Sequence, residues 1–401
     1  MREFVRSAAA AVALLGGAAA LQPVAAQVKI GVLNDMSSLY SDIGGKGSLE
    51  SAKMAAEDAG MVLGQPVQVI SADHQNKPDV GSQIARQWYD TEGVDVITDV
   101  PTSSVALAVN EVSREKQKLA LFVGPASADI TGPKCSPYAA NWVYDTYALA
   151  HVTGGAVVKT GGDSWFFMTA DYAFGHALER DTAAVVKEAG GKVLGDVKVP
   201  LNTPDFSSFL LQAQSSKAKI IGLANAGGDT INSIKQGAEF GVTAGGQKFA
   251  ALLFFITDAH SLGLKTAQGL QLTAPFYWDM NDETRAWSKR FEAKMGKKPS
   301  FTQAGVYSAM HAYLEAIKAS GTKEPLKVMA KLRETPINDF MTKNGKLRID
   351  GRLVRDMYLF EVKKPGESKG AWDYYTLKQT IPAAEAYVPA DQSACPAFHK
   401  G

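Results

Sequence analysis

Short runs of apolar, β-branched residues alternate along the chain with segments whose apolar positions recur at helical spacing. In the first part of the chain the predicted strands are 28–33, 67–70, 94–97 and 119–123, and the predicted helices are 47–58, 80–89 and 104–115. Continuous apolar runs are typical of strands that are buried on both faces. The alternation therefore predicts a parallel sheet with helices on both of its faces.

The same rhythm starts again after Asn141. The predicted strands there are 165–168, 192–197, 220–223 and 250–255, and the predicted helices are 173–189, 206–214 and 229–240. Two long amphipathic helices at 282–297 and 303–320, a shorter helix at 326–332 and strand-like segments at 357–362 and 372–377 complete the chain. The pattern predicts two similar α/β units in succession and not one large unit.

The N-terminal segment has the features of an export signal. Arg2 and Arg6 precede an apolar run at 8–21, and small residues follow at 24–26. The run has 14 residues, whereas a membrane-spanning helix needs roughly 20. We expect a signal peptide cleaved near Ala26 and a periplasmic mature protein; the alternative is an uncleaved anchor. No later stretch is long and apolar enough to predict stable membrane insertion.

Size, charge and cysteine content narrow the function classes. Removing residues 1–26 from the 401-residue chain leaves 375, more than one core usually supports, so two domains are expected. The formal net charge of +1 offers no basic surface for nucleic acid. In an exported protein the single cysteine pair, Cys135 and Cys395, favours a disulfide. Two free buried thiols are the alternative, and a metal site is weaker because no CxxC spacing exists.

Four loops that follow predicted strands are rich in serine, glycine and other small residues. They are 34–40, 101–104, 124–127 and 225–229. Ligands of open α/β sheets bind at the carboxyl ends of the strands, and the start of a helix carries partial positive charge. The loops therefore predict an anion-binding site, although Ser103 and Ser104 could simply cap their helix.

Motifs for catalysis are missing from the sequence. The six histidines form no cluster, and no HExxH, GxSxG, P-loop or GxGxxG motif stands at a helix start. Asp73 and His74 fall in a predicted solvated turn. We therefore expect neither an enzyme nor a bound cofactor or metal.

Several stretches together resemble the periplasmic amino-acid-binding family typified by the leucine/isoleucine/valine-binding protein. They are KIGVLNDMSSLY, DVPTSSVALAV, LFVGPASADIT, TADYAFGHAL, ANAGGDTINSIKQGAEFGV, AQGLQLTAPFYWD and KKPSFTQAGVYSAMHAYLEAI. No single stretch is a sharp motif, but their order and spacing cover the whole predicted mature chain.

The resemblance implies a type I periplasmic binding fold, with two Rossmann-like lobes joined by three hinge crossovers. Lobe one would be 27–143 plus 277–348, and lobe two 144–276 plus 349–401. The implied function is solute capture for an ABC importer by a monomer whose partners are a small carboxylate ligand and a membrane permease. The ligand would be a branched-chain or aromatic amino acid, or an aromatic acid. A sensor that docks on a membrane signalling receptor is the alternative.

The resemblance also implies site residues. The implied ligand contacts are Tyr40, Ser103, Ser104, Ala126, Ser127, Tyr172, Phe174, Asn225, Ala226, Asp258 and Tyr277. The serines and residues 126–127 would hold the carboxylate, and Tyr40 would act as an aromatic lid. Two departures matter, because Phe174 replaces a tyrosine and the segment around Asp258 matches the family poorly. Asp258 would either hold a ligand ammonium or cap the helix that follows.

Overall fold

The computed structural model describes residues 27–399 and shows an α/β protein with two separate parallel sheets. The predicted signal peptide, residues 1–26, lies outside the described residues. The strands are β1 (Lys29–Asn34), β2 (Met61–Val62), β3 (Gln65–Pro66), β4 (Gln68–Asp73), β5 (Val96–Asp99), β6 (Leu119–Phe122), β7 (Ala139–Asn141), β8 (Ser164–Ala170), β9 (Lys192–Val199), β10 (Ile220–Ala224), β11 (Lys248–Ala251), β12 (Gln271–Ala274), β13 (Lys346–Leu347), β14 (Leu353–Val354), β15 (Met357–Val362) and β16 (Tyr375–Ile381). The helices are α1 (Gly45–Ala59), α2 (Pro78–Asp90), α3 (Ser103–Lys116), α4 (Thr146–Leu149), α5 (Gly155–Lys159), α6 (Ala173–Glu188), α7 (Ser207–Ser215), α8 (Gly228–Glu239), α9 (Ile256–Leu262), α10 (Leu264–Ala267), α11 (Asp282–Met295), α12 (Phe301–Ser320), α13 (Pro325–Glu334) and α14 (Ala383–Ala386).

The two parallel sheets reproduce the repeated pattern of the sequence. The first sheet has the strand order β4-β1-β5-β6-β7, and the second has the order β11-β10-β8-β9. Every residue of β5 and of β10 is buried, because helices cover both faces of each sheet. A third, antiparallel sheet has the order β12-β15-β16. The prediction of two α/β units is confirmed.

The chain passes between the two lobes at three crossovers. The first crossover (142–145) leads from β7 to α4, the second (275–281) leads from β12 to α11, and the third (348–356) precedes β15. After the second crossover, α11 and α12 return to pack against α1 of the first lobe. This return explains why two long helices appear so late in the sequence.

Local sequence explains where those two helices begin. The Asn281 side chain accepts a hydrogen bond from the Thr284 N–H (2.9 Å) at the start of α11. The Ser300 Oγ and the Gln303 side chain exchange hydrogen bonds with each other's backbone N–H at the start of α12. Such reciprocal caps satisfy backbone donors that a helix leaves free.

A disulfide joins the C-terminal segment to the first lobe. Cys135, in the loop before β7, is bonded to Cys395, with 5.6 Å between the two Cα atoms. The predicted pairing is confirmed, and it links residues separated by 260 positions.

Some local predictions are wrong. The predicted strand 250–255 is β11 only as far as Ala251, and residues 252–255 form a buried loop. His74 is fully buried and not in a solvated turn, and burial lowers the pKa of its imidazole to about 4. The short strands β7 and β12 and the helical segment 146–159 were not predicted. None of the helices within residues 27–399 combines the length and the apolar character that crossing a bilayer requires.

Candidate ligand-binding cleft

A small cavity lies between the two parallel sheets. The first wall consists of Tyr40, Ile43, Pro101, Gly124, Ala126 and Tyr144, and the second wall consists of Tyr172, Phe174, Ala226, Leu253 and Phe255. These residues follow β1, β5, β6 and β7 in the first sheet and β8, β10 and β11 in the second. The cavity therefore occupies the position where open α/β sheets bind ligands, at the carboxyl ends of their strands.

Aromatic rings form much of both walls. The ring of Phe255, in the second wall, stacks on Phe301 at the start of α12, with 4.5 Å between the centroids. Phe301 in turn meets the edge of Tyr144 at 5.1 Å. Offset and edge-on ring pairs of this kind favour fixed positions. The cavity thus has stiff apolar sides, which suit the apolar body of a small ligand.

Three helices begin at the cavity. Pro101 lies two residues before α3, Tyr172 directly precedes α6, and Ala226 lies two residues before α8. These helices have 14, 16 and 12 residues, respectively. The start of a helix presents unpaired backbone N–H groups and partial positive charge. Their convergence from both sheets makes the cavity favourable for an anion.

The turn that leads into α3 has an unusual backbone. Asp99 and Val100 have φ values of 73° and 54°, a conformation that a β-branched residue rarely adopts. The Asn34 Nδ2 donates to the Asp99 carboxylate (2.5 Å), and the Val100 N–H donates to the Leu33 carbonyl (3.0 Å). These bonds to the neighbouring strand β1 hold the turn, which directs Pro101 and the start of α3 at the cavity.

None of the residues that line the cavity in the described part of the chain carries a charged side chain. Buried carboxyl groups lie outside the lining instead. Burial raises the pKa of Asp99 and of Asp258 to about 7, and that of Asp229 to about 6. Each of these carboxyls accepts hydrogen bonds from neutral groups of the protein.

Five of the eleven ligand contacts implied by the family resemblance line the cavity. They are Tyr40, Ala126, Tyr172, Phe174 and Ala226. Tyr40 and Phe174 are almost fully buried, with 3% and 2% of their surfaces exposed. The structure therefore brings together predicted residues from both sheets at one place.

The predicted serines lie beside the cavity and not in its lining. The Ser103 Oγ accepts a hydrogen bond from the Ser127 N–H (3.2 Å), which ties the start of α3 to the loop after β6. The Ser127 Oγ accepts from the Asp129 N–H (3.4 Å) within its own loop. Ser104 is partly exposed in the first turn of α3. Ser103 and Ser127 therefore stabilise the two loops of the first wall.

Two other predicted residues have partners inside the protein. The Asn225 side chain bonds to the hydroxyls of Thr230 (2.7 Å) and Ser233 (3.1 Å) on α8. Asp258 accepts a hydrogen bond from the Phe255 N–H (2.9 Å) and so caps α9. Of the two roles that the sequence left open for Asp258, the geometry supports the cap.

Tyr277 lies away from the cavity, on the second crossover. Its hydroxyl donates to the Trp372 carbonyl (2.9 Å), and its ring packs against Phe360 and Tyr375 at 5.8 Å and 5.0 Å. Tyr277 is thus part of the core between the crossovers and β15–β16.

Six lining residues are not among the predicted contacts: Pro101 and Gly124, which lie in two of the predicted loops, and Ile43, Tyr144, Leu253 and Phe255. Ile43 lies just before α1, Tyr144 lies on the first crossover, and Leu253 lies in the segment predicted as a strand. The sequence does contain a signal for Tyr144. This residue directly follows Trp142 and Val143, an apolar and buried pair at the end of the first α/β unit.

Comparisons with known proteins agree with this architecture. A periplasmic binding protein of Burkholderia mallei is 52% identical and superposes with a TM-score of 0.91, covering 92% of this chain and 98% of its own. A branched-chain amino acid ABC transporter periplasmic ligand-binding protein of Burkholderia xenovorans is 43% identical, with a TM-score of 0.82 and coverage of 93% and 100%. A Leu/Ile/Val-binding protein homologue of Brucella melitensis is 25% identical over 84% of this chain and 88% of its own length. The periplasmic binding protein profile matches residues 27–371, and the chain therefore belongs to that family.

Proposed function

We propose that this protein is the extracytoplasmic solute-binding component of an ABC importer and that it captures a small carboxylate with an apolar or aromatic body. The observation that carries the proposal is the convergence of three helix starts on an aromatic cavity whose lining, within residues 27–399, has no charged side chain. Backbone N–H groups there would hold the carboxylate, and the rings would hold the body of the ligand.

The setting of the cavity supports transport and not catalysis. The relative from Burkholderia xenovorans is named as an ABC transporter ligand-binding protein. The disulfide fits an oxidising compartment such as the periplasm. On this proposal the mature protein is a monomer of two lobes, 27–143 plus 277–348 and 144–276 plus 349–401. Its closed form docks on a membrane permease.

The ligand is proposed to lack an α-ammonium group. A buried ammonium needs a carboxylate or several hydrogen-bond acceptors around it. Asp258, the acid that the sequence offered for this role, caps α9, and Asp229 accepts the Asn202 N–H (3.1 Å). A 2-oxo acid or an aromatic acid therefore fits the cavity better than the amino acid of the same shape.

Matched ligand pairs test this assignment by calorimetry. L-Leucine is compared with 4-methyl-2-oxopentanoate, and L-phenylalanine with benzoate. We expect the acid without the ammonium group to bind at least ~10-fold more tightly in each pair, which corresponds to about 1.4 kcal/mol. Tighter binding of the amino acids would overturn the proposal that the ligand lacks an ammonium group, and the protein would then be an amino-acid carrier. Failure of all four to bind would refute the carboxylate proposal.

A cavity-filling variant tests the location of the site. Ala126 is 2% exposed and lines the cavity, so Ala126→Val adds two methyl groups to the space that the ligand would occupy. We expect binding of the preferred acid to fall by at least ~10-fold, because small cavities do not accept extra volume without strain. Ala128→Val, two residues along and outside the lining, is the control and should bind normally.

A further inference from the structure

A hydrogen bond joins the two walls of the cavity. The hydroxyl oxygens of Tyr40 and Tyr172 lie 2.6 Å apart, and either group can be the donor. Tyr40 comes from the loop after β1, whereas Tyr172 stands at the start of α6 in the second lobe. Both rings line the cavity, and Tyr172 is also partly exposed. The pair therefore spans from the cavity to the solvent.

Tyr40 is held firmly in its own lobe. The Asp35 carboxylate accepts hydrogen bonds from the Tyr40 N–H (2.8 Å), the Ser38 N–H (2.9 Å) and the Asn76 Nδ2 (2.8 Å). The Thr102 hydroxyl donates to the Asn76 side chain. The position of Tyr40 is thus fixed relative to the start of α3, and only the Tyr172 side of the pair belongs to the other lobe.

A glycine lets the two walls touch beside this bond. Gly227, before α8, has a φ of 58°. A Cβ atom there would lie 2.9 Å from the Leu39 carbonyl oxygen and 3.3 Å from the Tyr40 ring. A side chain at position 227 would hold the walls apart, so the second lobe reaches Tyr40 because the residue is glycine.

We propose that the Tyr40–Tyr172 hydroxyl pair is the gate through which a ligand enters and leaves the cavity. This inference rests on the proposed function, since it takes the cavity as the ligand site. When the lobes rotate apart the bond breaks, and both hydroxyls bond to water instead. The gate therefore sets the ratio of closed to open protein and the rate of ligand escape.

The pair has a distinctive mutational signature. Removal of one hydroxyl leaves the other without a partner in the closed form, which costs more than the removal of both. Tyr40→Phe and Tyr172→Phe should each lower the closed-to-open ratio by roughly fivefold or more. The double variant should lie closer to the wild type than either single variant does. Residues that merely fill space would give additive effects.

Spin-label distance measurements test the gate without any ligand. Both native cysteines are in the disulfide, so Lys53→Cys on α1 and Lys187→Cys on α6 place reactive thiols on exposed positions of the two lobes. We expect each tyrosine variant to enlarge the long-distance population and the double variant to reverse the change. Tyr89→Phe is the matched control, because the Tyr89 hydroxyl donates to the Leu119 carbonyl (2.8 Å) within the first lobe. Unchanged distances in the single variants, or additive effects in the double variant, would overturn the gate.

A second measurement separates the gate from the ligand assignment. Dissociation of benzoate and of 4-methyl-2-oxopentanoate is followed by stopped-flow tryptophan fluorescence. Faster dissociation from each single variant, with association no slower than in the wild type, is the expected result. Dissociation as slow as in the wild type would overturn the gate. If neither probe binds the wild type, the proposed ligand class fails, while the spin-label distances still decide whether the gate exists.

Discussion

The front and the back of the cleft hold the two lobes together by different means. At the front, the Tyr40–Tyr172 hydrogen bond joins the walls, and Gly227 lets them approach closely beside Leu39. At the back, the three crossovers and the C-terminal segment 387–399 carry buried guanidinium groups and a covalent bond. The front contacts are few and can re-form with water, whereas those at the back are enclosed.

Two buried arginines link the crossovers at the back. The Arg352 Nη1 donates to the Tyr144 carbonyl (2.8 Å) of the first crossover, and the Arg355 Nη2 donates to the Pro275 carbonyl (2.9 Å) of the second. Both arginines belong to the third crossover, and they are 1% and 2% exposed. One short segment therefore fastens all three connections between the lobes.

The C-terminal segment covers this junction. The Arg352 guanidinium lies over the Tyr387 ring, 5.1 Å from its centroid. The Arg348 Nη1 donates to the Val388 carbonyl (2.6 Å), and the disulfide at Cys395 attaches the segment to the first lobe. Because the back is fastened and the front is not, the expected motion is a rotation of the lobes about the crossovers. Changes at the back should therefore affect stability, and changes at the front should affect closure.

The largest effect is expected from Arg352→Met. Arg352 lies 3.6 Å from the carboxylate of Asp145, and both side chains are buried. Removal of one member of a buried ion pair strands the other charge, so the free energy of unfolding should fall by about 3–5 kcal/mol. Chemical denaturation measures this loss. The double variant Arg352→Met/Asp145→Asn should recover part of it, and equal losses in the single and double variants would contradict the pairing.

A smaller loss is expected when the disulfide is removed. Cys135→Ser/Cys395→Ser frees the C-terminal segment and should lower the free energy of unfolding by about 2–4 kcal/mol. The wild type in reductant should behave like this variant. If the comparison of front and back holds, the closed-to-open ratio measured with spin labels should stay within about twofold of the wild type. A large shift toward the open form would show that the C-terminal segment also controls closure.

The sequence predicts the strands well and the cleft only in part, for a physical reason. Buried parallel strands can be recognised locally, since β6 and β10 are continuous apolar runs. The same apolar pattern misplaces the end of β11, because the loop after this strand is equally apolar. Leu253 and Phe255 of that loop face the cavity between the sheets. A run of apolar residues reports burial and not the element that is buried.

The roles of individual site residues depend on contacts that the sequence does not contain. Asp258 stands three residues after Phe255 whether it caps α9 or contacts a ligand, and only the side-chain direction separates the two. Tyr144 reaches the cavity because Arg352, distant in sequence, fixes the first crossover. Tyr40, by contrast, lies in the cavity lining, where a residue of the loop directly after β1 is expected.

The smallest effect expected is a pH dependence that belongs to the front of the cleft. Asp99 lies behind the first wall, where its hydrogen-bond partners are neutral, and burial raises its pKa to about 7. At the back, Asp145 is also buried, which raises the pKa of its carboxyl, but Arg352 opposes the shift. Between pH 4 and pH 7 the folded protein therefore holds a proton on Asp99 that the unfolded chain has released.

The sign follows from proton linkage. Stability falls as pH rises wherever the folded state binds more protons, at up to about 1.4 kcal/mol per pH unit for one group. Asp99→Asn should reduce the slope of unfolding free energy against pH between about pH 5 and pH 7, since the amide does not titrate. Asp391→Asn, an exposed position in the C-terminal segment, is the matched control and should leave the slope unchanged. If Asp99→Asn also leaves the slope unchanged, the burial of Asp99 behind the first wall does not govern the pH dependence of stability. The front and the back of the cleft would then not differ in this respect.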